Sequence, residues 1–218
     1  MAKVKVLIGG YAKELKKGWV ASPTACLVTA GNKKIIFVHG YTASSQADWY
    51  PAIRPELDKL GIDYSIPDLP GGENPHSVDW VEIIKKEVEL SSKPVVLVGH
   101  SLGTRAVLLY LDKYQRKVDT VILIAPLSNN VANAERNGGE AYPDFFEYKI
   151  DLQKVKKLAK KFVILHSKDD SSLDYKKHGV SLARELGVKL ITFEGRDHFC
   201  APEDALYVLE VLRKELNF

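Results

Sequence analysis

Cysteine is almost absent from this chain. Cys26 and Cys200 are the only two among 218 residues, which excludes a disulfide framework. No Cys-x-x-Cys pair and no Cys/His metal spacing occurs. So few cysteines suit a reducing compartment, and a cytoplasmic location is expected. Long hydrophobic runs are missing too. The longest, residues 121–127, falls far short of the ~20 residues a membrane span needs. Residues 1–10 hold an apolar stretch too short for a secretory signal. A dominant charge of one sign is also lacking, since the formal net charge is only +3. The densest basic run, Lys154, Lys156, Lys157, Lys160 and Lys161, is interrupted by Val155, Leu158 and Phe162. A solvated helix face accounts for it better than a nucleic-acid site. Neither a membrane nor a nucleic acid is expected as a partner.

What is present is an ordinary globular balance, 45% hydrophobic and 27% charged. One α/β domain with a single core suits this length. Strand-like runs occur at 35–39, 62–66, 95–98, 121–124, 162–165 and 188–193, and the first is short, β-branched and continuous, as a strand buried on both faces is. Helical spacing covers 48–60, 77–90, 102–113, 152–160, 173–186 and 202–216. In the second of these, Val78, Val81, Ile84 and Val88 are expected to share the buried face. Strands alternating with helices call for a mostly parallel sheet with helices on both faces. Residues 129–148 form a long polar stretch holding Tyr142, Phe145, Phe146 and Tyr148, which would either roof a pocket or pack as an ordinary loop. Residues 1–34 stand apart. Their segments 4–8 and 24–29 read as an antiparallel hairpin added to a sheet edge, leaving 35–218 as the main domain.

Ligand sites in parallel sheets lie beyond the carboxyl ends of the strands. His39-Gly40-Tyr41, Gly99-His100-Ser101-Leu102-Gly103, Asp169-Asp170 and His198 all follow strands. Gly99-x-Ser101-x-Gly103 is a nucleophile-elbow pattern, in which the chain reverses from strand to helix and side chains at the flanks would clash. The pattern is weak alone and gains specificity from its strand–turn–helix context. A serine hydroxyl needs a base, and His198, after the last strand, is the candidate. His39 is expected to support the oxyanion loop. His100 should point away from the site, and His166 should pack or order the acid loop. His76 and His178 are expected to be solvated. The imidazole needs a carboxylate partner. In a His-Gly-x-x-Asp pattern the acid lies four residues after the histidine, which from His166 selects Asp170 over Asp169. Asp169 would then face outward or cap the next helix. Asp68 precedes the serine in the chain and is expected to order its own loop. The backbone N–H groups of Leu102 and Tyr41 are the candidate oxyanion donors.

With these residues in place, the chain resembles the small serine hydrolases related to retinoblastoma-binding protein nine. The matching pieces are Val38-His39-Gly40 with Trp49-Tyr50, the elbow at 99–103, Val121-Ile122-Leu123-Ile124-Ala125, Ser167-Lys168-Asp169-Asp170, and Asp197-His198-Phe199. The likeness runs from about residue 34 to the end. It implies an α/β-hydrolase fold with a minimal cap, hydrolysis of small esters or amides, no cofactor and no metal. It also implies that the second aspartate of the pair, Asp170, completes the triad. Two features depart from that family. The Val-Pro or Leu-Pro usual after the acid is here Ser171-Ser172-Leu173-Asp174. Residues 1–34 are extra, and are similar to the opening strands of metallo-β-lactamase-fold proteins without their His-x-His-x-Asp-His motif. The leading functional expectation is a carboxylic ester hydrolase acting through an acyl-enzyme on Ser101. An amidase, aminopeptidase or thioesterase would use the same triad. A protein-binding module on a hydrolase scaffold is the reading from a different class.

Overall fold

A computed structural model of the protein describes residues 5–8, 11–14, 32–129, 142–147 and 149–218. The chain opens with β1 (Lys5–Ile8) and β2 (Tyr11–Glu14). It continues through β3 (Lys34–Val38), α1 (Tyr50–Lys59), β4 (Asp63–Ser65), α2 (Ser77–Glu89), β5 (Val95–His100) and α3 (Leu102–Tyr114). Then come β6 (Val118–Ile124), α4 (Leu152–Lys156), β7 (Ala159–Ser167), α5 (Ser181–Leu186), β8 (Lys189–Phe193) and α6 (Asp204–Leu216). The last six strands form one sheet in the order β4-β3-β5-β6-β7-β8, with every neighbouring pair parallel.

The continuous apolar runs follow from this burial. Successive side chains of a strand point to opposite faces. In β5, Val95 and Leu97 enter one core while Val96 and Val98 enter the other. β3 divides in the same way, Ile36 and Val38 against Ile35 and Phe37. Helices α2, α3, α4 and α5 cover the first face, and α1 and α6 cover the second.

The structure corrects several sequence expectations. Val78 is 53% exposed, and the buried face of α2 is Trp80, Val81, Ile84 and Val88. At 100° per residue Val78 lies well to one side of that stripe, whereas Trp80 falls on it. The helix expected over 152–160 stops at Lys156, because pairing with β6 draws the chain into β7 from Ala159. The basic run is therefore no single helix face. Lys160 and Lys161 lie on β7 and pair with Asp119 and Glu215. β1 pairs antiparallel with β2, and the strand expected at 24–29 lies outside the described residues.

Candidate active site

The elbow is built by close packing. β5 ends at His100, and Ser101 adopts φ 51° and ψ −123° before α3 begins. This is a costly conformation for a residue with a Cβ, of order 1–3 kcal/mol. Its amide donates to the Ile124 carbonyl of β6 at 2.9 Å, which anchors the turn to the sheet. A Cβ on Gly103 would lie 2.2 Å from the Val38 carbonyl oxygen, and one on Gly99 would lie 2.8 Å from the Thr104 backbone. Only glycine lets α3 leave the sheet so close to β3 and β5.

The base arrives from the loop after β8. Asp197 and Phe199 flank His198 with φ values of 44° and 57°. Phe199 is fully buried and meets Phe193 edge-on at 5.3 Å, which anchors this turn. His198 Nε2 lies 2.9 Å from Ser101 Oγ, and His198 Nδ1 lies 2.9 Å from Asp170 Oδ2. The three residues selected from spacing and chain order thus meet in one hydrogen-bonded row.

Asp170 follows β7. Its Oδ1 accepts the Ser172 and Leu173 amides at 2.9 and 2.8 Å, and its Oδ2 also accepts from His166 Nε2 at 2.8 Å. Burial alone would raise this carboxyl. The bonds from His166 and His198 and the nearby His198 charge outweigh burial and hold it well below the usual carboxylate range. The serine-rich departure after the acid has a consequence here, because proline at position 172 would remove one of these amide donors. Asp169 is exposed, as expected, yet it is not idle. Its Oδ1 accepts Ser167 Oγ and, at 2.8 Å, the Gly195 amide of the base loop. Asp197 returns the tie by accepting the Ser171 amide at 2.7 Å. Nothing in the sequence marked this pair of cross-links, since each depends on two separate loops meeting.

The loop after β3 lies over the serine. A Cβ on Gly40 would sit 3.0 Å from Ser101 Cβ. His39 accepts the Leu69 amide at Nε2, so its Nδ1 carries the hydrogen that bonds the Gly40 carbonyl, both at 2.9 Å. It therefore supports this loop. Burial lowers its pKa, which favours the neutral ring this pattern requires. Asp68 accepts the Ser45 amide at 2.6 Å and orders the same region. Tyr41 donates its hydroxyl to the Glu73 carbonyl at 2.9 Å.

Other histidines differ from expectation. His178 is buried, not solvated, and accepts the Ser128 amide at 3.1 Å. His76 is exposed. His100 does more than turn away from the serine. Its buried ring borders the site and donates from Nε2 to the His198 carbonyl at 2.8 Å, bracing the base loop. Burial lowers the pKa of His100 to about 3.

These residues border a pocket of about 320 Å³ lined by Gly40, Tyr41, Asp48, Ser101, Tyr142 and His198, among others. Of the aromatic stretch, Tyr142 reaches the pocket and packs on Tyr41. Phe145 packs into the core against Trp80, and Phe146 lies over Arg105. Tyr148 lies outside the described residues. Cys200, an exposed residue, also borders the pocket, and desolvation of its sulfur with the nearby carboxylates of Asp48 and Asp170 raises its thiol pKa. Among the described residues no helix is long and apolar enough to cross a membrane.

Residues 35–205 match the family described as serine hydrolase. Over 173 residues the chain is 25% identical to YdeN of Bacillus subtilis (strain 168), covering 78% of this chain and 88% of that protein. The crystal structure of the ydeN gene product is similar at TM-score 0.74 and 24% identity, over 85% of this chain and 100% of that one. Est1E from Butyrivibrio proteoclasticus, with ferulic acid bound, has TM-score 0.65 at 16% identity, over 85% and 88% of the two chains. The esterase RhEst1 from a Rhodococcus species has TM-score 0.64 at 14% identity, over 87% and 92%. The shared architecture is the α/β-hydrolase fold.

Proposed function

The chain belongs to the serine hydrolase family, and from that premise we propose that it cleaves small carboxylic esters through an acyl-enzyme on Ser101. The observation that carries this reading is the row Ser101 Oγ, His198 Nε2, His198 Nδ1, Asp170 Oδ2, with 2.9 Å at each step, at the edge of an open pocket. His198 takes the Ser101 proton as the oxygen attacks the acyl carbon. Asp170 fixes the imidazole tautomer and supports its charged form. The Leu102 amide, at the start of α3, and the Tyr41 amide, beside Gly40, face the developing oxyanion. His198 then returns the proton to the leaving alkoxide. Water, activated by the same ring, releases the acid and restores Ser101. The ester is favoured over other acyl bonds because a structurally similar protein is named an esterase and another holds a bound carboxylic acid, ferulic acid.

A fluorophosphonate probe should label the protein at Ser101, and Ser101→Ala should not be labelled. Ester turnover should fall by roughly 10⁴-fold or more in Ser101→Ala. Absence of labelling in the folded wild type would overturn the reading. Matched ester, anilide and thioester substrates separate the bond types, and faster anilide turnover would replace the ester assignment.

A further inference from the structure

We propose that His166 is a positioning residue that holds Asp170 in line with His198, and that Gly179 holds His166 in turn. The inference rests on the roles assigned above to Ser101, His198 and Asp170.

The Asp170 carboxylate is held at both oxygens. Oδ1 accepts the Ser172 and Leu173 amides, and Oδ2 accepts from His166 and His198. The His198 ring is the partner that takes up and releases a proton during turnover. Without His166, Oδ2 would be held by that working ring alone. His166 supplies a second hold on the same oxygen from the last turn of sheet before the acid loop.

The His166 ring has one way to sit. It is fully buried at the end of β7. Because a carboxylate accepts, Nε2 carries the hydrogen of the 2.8 Å bond. Nδ1 is buried with no hydrogen-bond partner among the described residues. It is closed in by Gly179, where an added Cβ would lie 2.2 Å from Nδ1 and 2.8 Å from His166 Cβ and Cγ. Gly179 lies in a short π-helical turn, Lys176–Val180, ahead of α5. Tyr175, just before that turn, meets the ring edge-on at 5.6 Å. Backbone pressed on a bare nitrogen leaves no room for a bridging water or for a flipped ring. Packing thus selects the tautomer that donates to Asp170. A wide π turn and a glycine give this close approach, and such turns recur at functional sites.

The donor also tunes the acid. Each hydrogen bond to Oδ2 draws charge from it and weakens its grip on the His198 imidazolium. Removing the His166 hydrogen should loosen Asp170 and also strengthen its pull on the His198 proton.

The test compares His166→Phe, His166→Gln and Gly179→Ala on p-nitrophenyl butyrate. His166→Phe keeps the ring and lacks the donor. We expect kcat to fall about 10- to 100-fold with little change in KM, as for other residues that orient a functional group. The acid limb of the kcat/KM profile should move up by roughly half a pH unit or more. His166→Gln, which retains an N–H, should recover kcat to within a few fold and return the limb. Gly179→Ala should displace the ring and lose kcat in the same direction as His166→Phe. If His166→Phe does not fold, His166→Asn, whose amide is too short to reach, replaces it. Wild-type kcat in the donor-less variant overturns the proposal. So does a loss that leaves the acid limb in place and is not rescued by glutamine, which marks a packing role. Wild-type turnover in Ser101→Ala would instead sink the nucleophile assignment, and this proposal with it.

Discussion

Gly103 shows how little freedom the catalytic turn has. A methyl group there would overlap the Val38 carbonyl oxygen, and both partners are backbone. Gly103→Ala can be accommodated only if α3 lifts from the sheet. We expect a stability loss of about 3 kcal/mol or more by chemical denaturation, beyond ordinary overpacking, and loss of fluorophosphonate labelling in whatever protein remains folded. Wild-type stability in this variant would show that the turn tolerates a side chain. The same glycines made the site legible before any coordinates. Gly-x-Ser-x-Gly after a strand, followed in chain order by an aspartate and a histidine at later strand ends, selected Ser101, Asp170 and His198. The structure brings those side chains within hydrogen-bond reach. The supporting residues were not legible. The roles of His100, Asp169 and Asp197 arise from contacts between loops far apart in sequence, and no local pattern records them.

At the scale of elements, α2 gives the sharpest contrast between pattern and packing. A valine and a tryptophan two residues apart lie on nearly opposite sides of the helix, and the stripe through Val81, Ile84 and Val88 takes in the tryptophan. Trp80 is buried between His39 and Phe145 and donates to the Pro70 carbonyl at 2.8 Å. Trp80→Ala should destabilise the protein by about 3–5 kcal/mol, while Val78→Ala should change it by less than about 0.5 kcal/mol. Equal effects in urea denaturation would refute this assignment of the face. The central strands β3, β5 and β6 were the most legible elements, because burial on both faces leaves a nearly unbroken apolar signature. Boundaries were less so. The end of α4 is set by the demand of β6 for a partner, a long-range term that overrides the helical spacing of 152–160.

Across the whole molecule, buried histidines make stability depend on pH. His100 has its pKa lowered to about 3, and burial lowers His39 as well. His100 stays neutral in the fold through mild acid but takes up a proton near pH 6.5 once the chain unfolds, and His39 is shifted in the same direction. The unfolded state then binds more protons, so stability falls as pH drops below about 6.5, by up to about 1.4 kcal/mol per pH unit for each such group. Asp170 has the opposite charge type and a lowered pKa, so its contribution is present above the ordinary carboxylate range and fades only in stronger acid. Between about pH 6.5 and 4 the histidines lower stability as pH falls, against Asp48 and Asp204, whose carboxyls burial raises and which act with the opposite sign. Urea denaturation across that window should show a steeper decline for the wild type than for His100→Gln, and identical slopes would exclude His100 as a source. The reciprocal aspartate bonds, Asp169 to the Gly195 amide and Asp197 to the Ser171 amide, have their own consequence. Each loop supplies the other's missing partner, so neither is a separable part. Anyone transplanting the acid segment onto a related scaffold would need to move the base segment with it, as a single two-piece graft.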